Sequence, residues 1–245
     1  MKMDALSTSD IRDHVLTFGI DAYPPIELSQ TRTRLNMFYE EARSQKGDLF
    51  DQLVTGESVF RISKTFGQRT IDTFVLTARG PVFTLPLQCF PDGAFLMDAE
   101  SALDSFRTLR SLFFSTVAPD GKIMRMGMVR KLFFETGSEP SLNLITAHES
   151  FANAGAIGAQ CVTTFRDAKC NIGITLVAGQ MQKTVRTPIV PPQTEHAQFG
   201  LHVQLDVNNA EIRPQSETDI EEVLTRGAGL WPDKLLGFVN ERRPS

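Results

Sequence analysis

The chain has 245 residues and a mass of 27.2 kDa, with 41% hydrophobic and 22% charged residues. That length allows one large domain or two small ones, and the composition excludes a disordered chain, a collagen-like fibre and a disulfide scaffold. A formal net charge of -4 argues against a protein whose main work is coating DNA or RNA.

Polar residues 1–10 read as a frayed start. His14 to Ala22 alternates as a strand, which Pro24 and Pro25 end because proline donates no ladder hydrogen bond. Ser29 is the expected N-cap of a helix to about Ser44, whose buried face carries Leu35, Phe38, Tyr39 and Ala42. Three strands are expected next: Val59 to Ile62, Ile71 to Ala78, and Val82 to Leu87 after the Arg79-Gly80-Pro81 turn. Asp98 then caps a helix from Ala99 to Val117 with Leu103, Phe106, Leu109, Phe113 and Val117 as its apolar stripe. Lys122 to Glu135 is a strand, and Thr136 to Ala154 reads as a linker or short helix. A meander of strands at 157–166, 170–178 and 181–189 is expected, with Ala178-Gly179-Gln180 as one of its turns. Leu201 to Val207 alternates strictly, and a final helix from Thr218 to about Arg242 is interrupted by Gly227, Gly229 and Pro232.

This order predicts an α+β fold of antiparallel sheets, each covered by helices on one face. The pattern fits either two similar halves or one shared curved sheet. The division is residues 1–135, a connecting 136–154, and 155–245. Eighteen phenylalanines against two tyrosines and one tryptophan read as dry core rather than recognition surface.

No P-loop, GxGxxG, HExxH or GxSxG occurs. Gly155-Ala156-Ile157-Gly158 has GxxG spacing but leads into a strand and reads as a loop. Cys89, Cys161 and Cys170 have no CxxC spacing, which fits buried thiols in a reducing cytoplasm. The start lacks a signal-peptide apolar run, and no stretch reaches a membrane span. No cofactor or metal site is read. His196 beside Glu195 falls in a proline-flanked loop, and adjacency alone does not aim two side chains at one point. An alternative polar site would draw on His148, Glu149, His202 and Asp206, of which His202 and Asp206 share a strand face.

Charge segregation is the strongest pointer. Arg107, Arg110, Lys122, Arg125, Arg130 and Lys131 stand against Asp120 alone. Asp206, Glu211, Glu217, Asp219, Glu221 and Glu222 stand against Arg213 alone. Such blocks can pair within a chain or across subunits, or remain solvated faces. The stripe could also meet phosphate backbone, though it lacks interleaved Tyr or Trp for base stacking.

The stretch Arg125-Met126-Gly127-Met128-Val129-Arg130, with Leu205-Asp206-Val207 and the terminal Val239-Asn240, resembles a sporadically distributed family of uncharacterised bacterial proteins of similar length. The resemblance implies an α+β fold and transfers no catalytic residue. The sequence therefore points to a non-catalytic binding or assembly protein whose partner is another protein or a second copy. The alternatives are a metal-dependent hydrolase or nuclease-like enzyme at the polar residues above, and an RNA- or DNA-binding module on the basic stripe.

Overall fold

A computed structural model describes residues 5–66, 69–90, 93–136, 159–166, 169–185 and 193–241. The strands are β1 Ile11–Tyr23, β2 Gln52–Thr55, β3 Phe60–Phe66, β4 Arg69–Leu76, β5 Pro81–Cys89, β6 Ala94–Phe95, β7 Lys122–Phe134, β8 Ala159–Arg166, β9 Cys170–Val185 and β10 Gln193–Asn209. The helices are α1 Leu28–Gln45, α2 Ala99–Thr116, α3 Glu217–Gly229 and α4 Asp233–Asn240.

All ten strands join one antiparallel sheet in the order β2-β3-β4-β5-β1-β7-β10-β9-β8, with β6 on β5. The fold is α+β. The path is symmetric about its centre: β3-β4-β5-β1 on one side mirrors β8-β9-β10-β7 on the other. Each set is a leading strand, a meander that returns to it, and a covering helix. The two leading strands, β1 and β7, pair along nearly their whole lengths, from Ile11 opposite Phe134 to Tyr23 opposite Lys122.

Alternation of side chains assigns the two faces. Leu16, Phe18 and Ile20 of β1 and Met126, Met128 and Leu132 of β7 point to the helices, as do Leu201, Val203, Leu205 and Val207 of β10. The phenylalanines fill this layer. Phe18 stacks on Phe106 of α2 at 4.1 Å, and Phe74 meets Phe38, Phe60, Phe83 and Phe113 at 5.0 to 6.0 Å. The second half uses Ile172, Ile174 and Leu176 under Ile220, Val223, Leu224, Leu235 and Val239. Gly227 lets α3 approach β7: a Cβ there would lie 2.5 Å from Met128 Cε.

Several local expectations are corrected. Helix α1 starts after Glu27 with no side-chain cap, and Ser29 lies inside its first turn. Asp98 does cap α2, accepting from the Ser101 amide at 2.7 Å. The 178–180 turn does not exist; Gly179 continues β9 opposite Gly200 of β10. Glycine punctuates a strand here because the backbones crowd: a Cβ on Gly200 would lie 2.0 Å from the Phe134 carbonyl oxygen. Strand β10 begins at Gln193, so the backbone of Glu195 and His196 is strand rather than loop. The terminal helix divides into α3 and α4 where Gly229 and Pro232 stand. Most of the expected linker, with His148, Glu149 and Gly155 to Gly158, lies outside the described residues.

Candidate functional site

The basic stripe does not form one surface. Arg107 and Arg110 sit on α2 and face α3. Arg107 Nε and Nη2 donate to the two Glu221 carboxylate oxygens at 3.1 and 2.8 Å, and Arg110 Nη2 donates to Glu217 at 2.6 Å. The Arg107 guanidinium holds the Glu221 carboxyl below its ordinary range. Two of the six basic residues and two of the six acidic ones are therefore paired with one another within the chain, between the helix layers of the two halves. Lys169 with Glu222 at 2.7 Å and Arg213 with Asp219 at 3.1 Å continue the pattern. Arg213 and the Ser216 cap hold Asp219 far below the usual carboxylate range.

The strand members of the stripe divide by parity. Arg125 and Lys131 occupy the face away from the helices, whereas Arg130, two places from Met128 and Leu132, points to the helix side and is 1% exposed. A residue that closed cannot meet a macromolecule, which corrects its place in the stripe. The signal was legible: an arginine in phase with the Met126, Met128 and Leu132 positions belongs with the core.

The face away from the helices carries the best candidate site. Among the described residues no helix lies on it. Its positions are small or polar: Thr17 and Gly19 on β1, Arg125, Gly127 and Val129 on β7, Gln204, Asp206 and Asn208 on β10, and Asn171, Gly173 and Thr175 on β9. Most are half-buried, as expected of an uncovered sheet centre. Here β10 pairs Asn208 with Gly127 on one side and Asn171 on the other, while Asp206 faces Gly173. The missing side chains of Gly127 and Gly173 leave room beside Asp206 and Asn208. A hollow of about 400 Å³ results, whose side chains on this face are Thr164, Arg166, Asn171, Asp206 and Asn208 around Gly173.

Asn208 is the hub of the hollow. Its Oδ1 accepts from Arg125 Nη2 at 2.7 Å and Asn171 Nδ2 at 3.3 Å, and its Nδ2 donates to Asp206 Oδ1 at 3.1 Å. That fixes the amide orientation and leaves Asp206 Oδ2 as an acceptor and Arg166 as a donor without partners among the described residues. The hollow thus offers one carboxylate oxygen and, among the described residues, an unpaired guanidinium. It holds and orients a polar segment; it presents no base beside a nucleophile.

The polar residues expected for catalysis do not converge. His202 and Asp206 share this face, but they stand four positions apart along the strand, about 13 Å. His202 belongs to a different cluster. Asp13, Phe133 and His202 lie in a row across β1, β7 and β10, and the His202 ring packs on Phe133 at 4.8 Å. Asp13 is ion-paired with Arg69 and accepts from the Phe90 amide at 3.0 Å. Burial pushes the Asp13 carboxyl up, only partly offset by Arg69, and burial lowers His202 against the pull of Asp13. Phe133 stands between the acid and the imidazole, so the row reads as a polar cap on the sheet end. Among the described residues no three metal-ligating side chains converge, and no helix is long and apolar enough to cross a membrane.

Sequence reading missed the second buried cluster, at the β1–β7 seam. Arg130 Nη1 lies 2.6 Å from His14 Nε2, and the Trp231 indole covers the guanidinium at 5.0 Å. His14 and Trp231 rings are 5.2 Å apart. The three positions are scattered in sequence, and nothing local links them.

Family models, curated proteins and solved structures compared with the chain give no match.

Proposed function

We propose that this chain is a non-catalytic binding or assembly protein of the cytoplasm, acting through protein–protein contacts on the uncovered face of its sheet. The observation that carries the reading is the one-sided cover. Among the described residues the helices lie on one face of the ten-stranded sheet, and β1, β7, β10 and β9 present a broad surface of mostly small and polar residues on the other. The hollow at Asp206 and Asn208 gives that surface a polar anchor point. A partner segment donates to Asp206 Oδ2 and accepts from Arg166. The partner is a second copy of the chain or another protein.

The basic stripe as a nucleic-acid surface is weakened by the internal pairing of Arg107 and Arg110 and the burial of Arg130. An enzyme built on His202 and Asp206 is weakened by their separation.

The test is light scattering on the eluted protein at low and high salt, with affinity capture from lysate beside it. Association that weakens in Asp206→Arg and persists in a variant on the α1 surface, Met37→Gln, supports the reading. A strict monomer that retains no protein more than Asp206→Arg does overturns it.

A further inference from the structure

We propose that Arg130 anchors a closed site for one carboxylate group of a small organic acid, beneath Trp231 and between the two helix layers. Arg130 as a residue is 1% exposed. Its Nη1 is spent on His14 at 2.6 Å, while Nε is buried with no hydrogen-bond partner. Among the described residues Nη2 has no partner either, and no Asp or Glu reaches the group. Nε and Nη2 together are the edge of the fork that takes a carboxylate through two parallel hydrogen bonds. A buried guanidinium without an anion is a costly arrangement, and a bound carboxylate relieves it.

The class of ligand follows from the charge present. A guanidinium has donors only, so the His14 Nε2 facing it must accept and the ring is neutral, its proton on Nδ1. Burial and the neighbouring Arg130 hold His14 in that form, down to about 3. One positive charge therefore stands in the site. It balances a carboxylate, whereas a phosphate brings about -1.5 to -2 and leaves charge uncompensated. Arg110 makes the contrast: it also keeps a buried Nη1 without a partner, but its Nη2 already holds Glu217.

Trp231 provides the way in. It lies in the link between Gly229, the end of α3, and Asp233, the start of α4, and it is half-buried rather than closed off. Displacing this one ring uncovers the Arg130 edge. As the chain's single tryptophan, it also reports on the event.

The experiment titrates the full chain with sodium acetate, and separately with sodium phosphate, against sodium chloride at matched ionic strength. Trp231 emission and the melting temperature are read. The expected result is a saturable emission change and a rise in melting temperature with acetate. Arg130→Lys, which keeps the charge and loses the fork, weakens the response about tenfold or more, and Arg110→Gln leaves it unchanged. The Arg130 Nε–H resonance of the nitrogen-labelled native chain moves along the same curve, a reading that needs no variant to fold. Absence of a saturable response, a static Arg130 resonance, equal affinity in a folded Arg130→Lys, or a response to phosphate without acetate overturns the proposal.

Discussion

Phe18→Ala tests whether the two halves unfold as one body. Phe18 is fully buried on β1, opposite Phe83 of β5 on one side and Met128 of β7 on the other, and it stacks on Phe106 with rings 11° from parallel. Removing a buried phenylalanine costs about 3–5 kcal/mol, which includes the transfer of the ring and the cavity left where a rigid sheet cannot collapse. The stacked geometry places the expectation in the upper part of that range. For a chain of this size each kcal/mol lowers the melting point by roughly 2–4 °C, so a fall of about 8–20 °C is expected. Urea unfolding followed by far-ultraviolet circular dichroism and by Trp231 fluorescence is the assay. The circular dichroism averages the whole sheet, while Trp231, in the α3–α4 link over Arg130 and against His14, reports on the seam between the halves. Because β1 and β7 share one ladder, both signals must move together to the lower midpoint. A Trp231 transition that stays in place while part of the dichroism shifts would refute the shared-sheet reasoning.

Three further outcomes follow from particular contacts. Gly200→Ala drives a Cβ to 2.0 Å from the Phe134 carbonyl oxygen, so the β7–β10 ladder opens and about 3 kcal/mol or more is lost, read as a lower urea midpoint or failed soluble expression. His14 stays neutral in the fold to about pH 3 but takes a proton near 6.5 when unfolded, so the unfolded chain binds more protons between those values and stability falls as the pH drops through that window. The contribution is on the order of a few kcal/mol, and His14→Gln, which keeps an acceptor for Arg130 and does not titrate, flattens that part of the stability profile; an unchanged slope would contradict it. The pair Arg107–Glu221, with each side chain about two-fifths exposed, couples by about 0.2–1 kcal/mol in a double-mutant cycle and fades in high salt. A salt-independent coupling would show that the contact is more desolvated than its exposure indicates.

The sequence made most elements legible because their signals are local. Leu201, Val203, Leu205 and Val207 announce a half-buried strand by parity, and Phe106, Leu109 and Phe113 announce a buried helix face by spacing. Boundaries failed where a glycine had two meanings. Gly179 reads as a turn but is a point where β9 meets β10 through Gly200, a fact held in the other strand. The sequence left one shared sheet and two separate halves equally open, because the β1–β7 pairing that decides between them joins residues about a hundred positions or more apart. The candidate site was half legible. Arg125 and Asp206 drew notice by charge, but their linkage runs through Asn208 and the space beside it through Gly127 and Gly173, residues with no charge to mark them. The misassignment of Arg130 shows the reverse error: charge was read before phase.

The most direct measurement is hydroxyl-radical footprinting of the associated protein against its dilute form, resolved by residue. Docking on the uncovered sheet face predicts that Val129 of β7 and Val177 of β9 lose reactivity on association, while the exposed Met37 on α1 keeps its own. Unchanged labelling of Val129 and Val177 with protection at Met37 would place the contact on the helix layer and contradict the account.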